Sequence, residues 1–265
     1  MQRELVSVIM PTFDSGKHLA GSIESVLAQT HSNLELLITD DCSTDGTREI
    51  LEQFAQRDPR VKVELLTENS GPGVARNKSI ERAQGRYIAF CDSDDRWFPE
   101  KLEKQIRHME EHSSALCSSS YLICNEDDKV TGVNISPDYL TLDMMKRDNK
   151  IGCLTAVYDV QRLGHKFFMP SIRKRQDWAL FLSIMKECRE CFCLTEPLAY
   201  YRQRENSVSS NKFSLIKYNV KVYETVFGYS RLKAYLYFLF CFLPSYFFKV
   251  KKRRQDSKEY LENMK

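Results

Sequence analysis

Over the first ninety residues, short β-branched apolar runs alternate with segments whose apolar positions recur every three or four residues. Residues 6–10 (VSVIM) predict a strand ended by Pro11, and residues 15–29 place Leu19, Ile23, Val26 and Leu27 at helical spacing. Residues 34–38 predict a second strand, followed by a helix in which Ile50, Leu51 and Phe54 share a face. Residues 61–65 predict a third strand. A helix ending near Ala83 and a buried strand over residues 86–91 complete the series. Such alternation requires crossover helices, so the expected fold is α/β, with a mainly parallel central sheet flanked by helices.

Beyond residue 115 the pattern loosens. Residues 115–125 and 151–158 predict strands, with a turn at residues 126–128, and residues 175–187 predict a helix with Leu180, Phe181, Ile184 and Met185 apolar. No repeat or low-complexity tract interrupts the chain. The expected division is a catalytic domain over residues 1–212 and a C-terminal helical segment over residues 213–265.

In an open parallel sheet, ligands bind beyond the carboxyl ends of the strands. The residues to weigh are therefore residues 11–14, 40–45 and 92–95. The last run, Asp92-Ser93-Asp94-Asp95, crowds three carboxylates at a strand end, where repulsion favours a hard divalent cation, Mg²⁺ or Mn²⁺, whose shell phosphate oxygens complete. The plainer alternative is a solvated turn capping the helix near Pro99. Phe13 can stack on a flat base, although a Phe near a strand end is more often core. Asp41 can accept from a base N–H, whereas Asp40, just inside the strand, reads as an organiser of the loop. Gly71-Pro72-Gly73 can offer backbone N–H groups to phosphate but lacks the later glycine of a dinucleotide fingerprint.

Composition narrows the function class. The 265 residues are 42% hydrophobic and 28% charged, which fits a folded globular chain. The net charge is +3, but Lys249, Lys251, Lys252, Arg253 and Arg254 supply five positive charges and the remainder carries −2, so no nucleic-acid partner is expected. Nine cysteines without a framework spacing, and no leader pattern ahead of the first strand, point to a reducing, cytoplasmic setting. Cys188, Cys191 and Cys193 lack a fourth nearby ligand for zinc and read instead as a helix end followed by a half-buried strand.

Taken together, the runs VIMPTF at residues 8–13, DDCSTDGT at 40–47, ARN at 75–77 and DSDD at 92–95 resemble glycosyltransferase family 2, the inverting enzymes with a GT-A fold. RQDW at residues 175–178 and EPLAYYR at 196–202 extend the resemblance over roughly residues 5 to 210. It implies a metal-dependent, hexosyltransferase-like enzyme of bacterial surface-polysaccharide assembly, in which Pro11, Thr12, Phe13, Asp41, Arg76, Asp92 and Ser93 hold the nucleotide. By the same resemblance Asp94, with Asp92, holds the metal, and Asp177 is the general base. The family commonly has an acid before that Asp, where this chain has Gln176. Arg173, Lys174, Arg175, Arg202 and Arg204 are candidate contacts to diphosphate or acceptor. The nucleotide the family favours is UDP.

Residues 234–248 are apolar on nearly every side and are followed by the basic run. Fifteen helical residues span about 23 Å, short of a roughly 30 Å hydrocarbon core, and Pro244 is expected to interrupt them. An interfacial segment on the inner face of the cell membrane accounts for both halves of the pattern and suits a lipid-linked glycan acceptor. The alternatives are packing on the catalytic domain or a homo-oligomer interface. Two other functions remain open at this point: a sugar-phosphate nucleotidyltransferase, which needs a Gly-rich phosphate loop where only Gly16 follows Met10, and a nucleotide-sugar-binding module without catalysis.

Overall fold

The computed structural model describes residues 4–203 and 212–263. Arg204, one of the candidate phosphate contacts, lies outside them. Strands β1 (Val6–Thr12), β2 (Leu34–Asp40), β3 (Val61–Leu65) and β4 (Tyr87–Phe90) alternate with helices α1 (Leu19–Leu27), α2 (Thr47–Arg57) and α3 (Pro72–Arg82). These strands form the wholly parallel part of the sheet, in the order β3-β2-β1-β4.

Beyond β4 the sheet becomes mixed. The order continues through β9 (Val157–Asp159), β6 (Leu116–Cys124), β10 (Glu190–Arg202) and β5 (Arg96–Trp97). β9 is antiparallel to both its neighbours, and β10 runs parallel to β6. β7 (Val130–Asn134) and β8 (Tyr139–Thr141) attach at the side of β6 and β10.

Side-chain alternation along the central strands divides the core between the two faces of the sheet. Val6, Val8 and Met10 pack with Leu36, Ile38, Leu19, Leu51 and Leu102, on the side of α1, α2 and α4 (Lys101–Glu111). Ile9 points the other way, to Leu37, Phe90 and the buried residues of α7 (Gln176–Cys188). The short helices α5 (Leu142–Arg147) and α6 (Val160–Leu163) link the later strands.

Three expectations change. β1 continues through Pro11, pairing it with Thr39. Cys91 N donates to Ile9 O, so odd-numbered residues of β1 face β4, which ends opposite Ile9; Pro11 thus lacks its N–H where no acceptor strand remains. The strand expected over residues 151–158 shrinks to Val157–Asp159, because residues 153–155 form a 3₁₀ turn closed by Thr155 Oγ1 on Gly152 O. Pro244 does not end the C-terminal helix. Residues 238–242 adopt a wider π turn between α9 (Arg231–Tyr237) and α10 (Leu243–Asn263), and this irregular turn just before Pro244 accommodates a ring that would clash in a regular helix.

The C-terminal helices are docked on the domain. Tyr223 of α8 (Lys212–Phe227) and Phe242 lie with ring centroids 5.6 and 5.4 Å from Trp178 of α7. Farther along, Ser257 of α10 both donates to Val133 O and accepts from Val133 N of β7. No helix among the described residues is long and apolar enough to cross a membrane.

Candidate active site

The site is assembled from the loops that follow β1, β2 and β4, and side chains lace these loops together. Asp14 N donates to Ser43 Oγ at 2.9 Å, and the Ser15 and Ser93 hydroxyls are 2.8 Å apart. The two oxygens of Asp41 accept from Ser70 N and Gly71 N, each at 2.7 Å, joining the second loop to the start of α3. Asp40 is fully buried and binds Ser43 N, the Ser43 hydroxyl and Arg48 Nε, which is the loop-organising part the sequence suggested. Asp14 and Cys42 sit at φ +43° and +67°, a strained backbone conformation that the lacing holds in place.

Beside these loops lies a cleft of about 1170 Å³, and every sequence-predicted site residue within the described part lines it: Pro11, Thr12, Phe13, Asp41, Arg76, Asp92, Ser93, Asp94, Arg173, Lys174, Arg175, Asp177 and Arg202. Phe13 is 46% exposed, so its ring is a wall of the cleft and not part of the core.

The acidic loop is braced from two sides. Arg76 of α3, almost wholly buried, places Nη2 2.6 Å from Asp92 Oδ1. Burial opposes the charge on Arg76, yet Asp92 offsets this and holds the guanidinium well above its ordinary pKa. Arg202 donates from Nε to Asp94 O, from Nη1 to Asn125 O and Glu126 O, and from Nη2 to Asp128, while its backbone N donates to Asp95 Oδ1. Arg202 is therefore a strut of the loop. Its guanidinium donors are largely committed there, and the residue borders the cleft as a brace of the acidic loop.

Asp95 is buried, and burial together with the charges of Asp94 and Asp92 pushes its carboxyl well above the usual range. That accumulation of negative charge suits a hard cation, so the donor set of Asp94 and Asp92 fits Mn²⁺ or Mg²⁺. Arg76 already takes one oxygen of Asp92. Among the described residues, the group of three or more His, Cys, Asp or Glu side chains with donor atoms all within 4.8 Å is His108, Glu111 and His112 at the C-terminal end of α4, away from the cleft. A cation at Asp94 and Asp92 would thus rely on ligand oxygens to complete its shell.

Asp177, also in the cleft, occupies the first turn of α7, where the helix dipole favours its charge. Its Oδ2 accepts from Asn149 Nδ2 at 3.1 Å. Gln176 packs over the start of α3, so closely that a Cβ on Gly73 would lie 2.7 Å from its Nε2. Arg175 caps α7 at φ +68°, and its Nε is buried without a hydrogen-bond partner. Arg173 and Lys174 continue this basic wall, and Lys150 joins them.

Asn149, Tyr121 and Lys249 also line the cleft and were missed in the sequence. Nothing local distinguishes them, since Asn149 lies in an irregular loop and Lys249 reads as the first of five tail cations. Lys249 in fact turns inward, donating to Asp148 Oδ1 and Asn149 O, while residues 251–254 are exposed. Cys191 and Cys193 are free, buried thiols at the start of β10, 3.6 Å apart, with Cys188 at the end of α7.

The model of a family described as Glycosyl transferase family 2 matches residues 7–163. The chain is 43% identical over 252 residues to the Bacillus subtilis glycosyltransferase TuaG, assigned to teichuronic acid biosynthesis, covering 95% of this chain and 98% of that one. It is 38% identical over 223 residues to the Escherichia coli UDP-Glc:alpha-D-GlcNAc-diphosphoundecaprenol beta-1,3-glucosyltransferase WfgD, with 82% and 84% covered. Among solved structures, it resembles S. aureus TarS 1-349 in complex with UDP-GlcNAc, with a TM-score of 0.65 at 21% identity over 89% of this chain and 73% of that one. The mannosyltransferase PcManGT from Pyrobaculum calidifontis, in complex with GDP-Man and Mn2+, gives 0.62 at 16% identity, with 95% and 75% covered. At these identities the structural likeness concerns the fold alone, which is GT-A.

Proposed function

The chain belongs to glycosyl transferase family 2 and is a glycosyltransferase, and on that premise we propose that it moves a sugar from a UDP-sugar to a hydroxyl of a lipid-linked glycan, inverting the anomeric carbon. The observation that carries this reading is that Phe13, Asp41 and Arg76, the acidic loop and Asp177 all line one cleft. UDP and a diphospholipid acceptor are the chemistry named for WfgD.

In this reading Phe13 stacks on the base, Asp41 meets its N–H through lone pairs left over from the backbone bonds, and Arg76 holds Asp92 towards the ribose. Asp177 takes the proton of the acceptor hydroxyl as that oxygen attacks the anomeric carbon; the bond to the diphosphate breaks, and UDP departs with the electron pair. Asn149 occupies Oδ2 of Asp177 and so leaves Oδ1 to receive the proton. Asp94 and Asp92 would hold a divalent ion, which would supply charge neutralisation to the leaving diphosphate. Arg173, Lys174 and Arg175 lie where a phosphorylated acceptor would approach. The site works at the inner membrane surface, to which the exposed apolar residues of α9 and α10 attach it.

Calorimetric titration with UDP, GDP, CDP and dTDP, each with Mn²⁺ and with EDTA, tests the donor side. Binding of UDP that disappears with EDTA is expected. Metal-independent binding, or preference for another nucleotide, would overturn the corresponding part of the proposal.

A further inference from the structure

One turn of α10 faces two ways. Lys249 points into the domain, where its Nζ binds Asp148 Oδ1 at 3.2 Å and the backbone carbonyl of Asn149, and where burial pushes its ammonium below its ordinary pKa. Phe247 and Phe248, immediately before it, are 65% and 71% exposed. The exposed apolar side continues through Leu236, Leu239 and Phe240. From Gly228 to Arg254 the chain contains no Asp or Glu and seven Lys or Arg, and residues 251–254 are all exposed cations. Bulky apolar side chains bordered by unopposed positive charge complement an anionic lipid bilayer.

The inner end of that turn reaches the reaction. Asn149, whose carbonyl Lys249 holds, donates to Asp177 Oδ2. Met145, four residues earlier, accepts from Trp178 Nε1, and Lys146 O accepts from the Tyr223 hydroxyl. Residues 145–149 therefore link the C-terminal helices to the first turn of α7. We propose that α10 couples attachment to an anionic bilayer to the placement of Asp177, with Lys249 as the positioning residue that transmits it. Phe247 and Phe248 enter the lipid boundary, α10 is fixed, and Lys249 then fixes Asn149 and through it the carboxylate. The proposal rests on Asp177 being the base. It would restrict full activity to the surface where a lipid-linked acceptor resides.

The test uses the full chain with vesicles of phosphatidylcholine, with and without phosphatidylglycerol, and reads co-sedimentation, hydrogen exchange over residues 145–152 and 176–180, and sugar transfer. The wild type is expected to bind the anionic vesicles and to exchange about tenfold more slowly in both segments when bound. Phe247→Ser with Phe248→Ser should abolish binding and protection together. Lys249→Met should still bind vesicles but lose the protection, with kcat down about ten- to a hundredfold at unchanged KM for the nucleotide sugar. Lys249→Arg should restore both in part.

Absence of vesicle binding, or a concentration-dependent dimer in which Phe247 and Phe248 become protected without lipid, would overturn the membrane half. Vesicle binding with unchanged exchange at 145–152, or a Lys249→Met protein that keeps wild-type kcat, would overturn the coupling. Should Lys249→Met melt far below the wild type, Asn149→Ala breaks the next link, from the Asn149 side chain to Asp177, and leaves the carbonyl that Lys249 holds; the same loss of kcat is expected with vesicle binding retained. Retention of transfer by Asp177→Asn would instead refute the base assignment, whatever the vesicles do.

Discussion

Arg76 and Asp92 form an ion pair at 2.6 Å across the floor of the cleft, joining the third helix to the loop after the fourth strand. The Arg side chain is 10% exposed and the Asp 31%, so water screens the pair only in part. Replacing Arg76 with Met should cost about 2 kcal/mol in a denaturant titration, because Asp92 then lacks its partner in a half-buried place. Nucleotide affinity should fall at least tenfold in the same variant, as read by calorimetry.

Asp177→Asn keeps the size of the side chain and removes its basicity. Transfer should fall by about 10³-fold, within the usual contribution of a general base, with UDP affinity unchanged. An equal loss of UDP binding would make the residue part of the nucleotide site.

Metal dependence should track Asp94. EDTA is expected to abolish UDP binding in the wild type and Mn²⁺ to restore it. Asp94→Ala should show the same weak binding with either, as measured by titration, while its melting temperature stays close to that of the wild type, since the loop is braced by Arg202.

Arg202→Met removes that brace. Three carbonyls and Asp128 lose a donor at a residue whose side chain is 3% exposed, and a stability loss of about 2–3 kcal/mol is expected in urea. Apparent Mn²⁺ affinity should fall with it. An unchanged Mn²⁺ affinity would mean that the acidic loop holds its shape unaided.

Lys101 is fully buried over the Trp97 ring, 3.9 Å from its centroid, and burial pushes its pKa down from 10.5 to about 7. The unfolded chain then holds a proton that the folded chain releases between those values, so this group makes stability rise with pH from about 7 towards 10.5. Below pH 7 both states are charged and the burial penalty is complete. Lys101→Met should raise the melting temperature at pH 6 and flatten its dependence between pH 7 and 10. A parallel profile in the two proteins would place the proton elsewhere.

Local pattern was enough for the parallel half of the sheet, because β1 to β4 are short apolar runs and the helices between them have one apolar face each. The motifs that resemble the family were legible as well, and because an α/β topology sends the post-strand loops of its parallel strands to one edge, Phe13, Asp41 and Asp92 could be grouped at one cleft from the sequence. Position along the chain says nothing, however, about where a long side chain spends its hydrogen bonds. Nothing in the sequence shows that the Arg202 guanidinium reaches the Asn125 carbonyl 77 residues away, and Lys249 reads as one of five solvated cations until it is found on Asn149, 100 residues earlier. The pairing of Asn149 with Asp177 likewise joins an irregular loop to a helix start, and neither carries a periodic signal that marks the other. Sequence determined which groups stand at the strand ends; tertiary packing decided which of them remain available to a ligand, because contacts between distant segments form only when the sheet and the C-terminal helices close on one another.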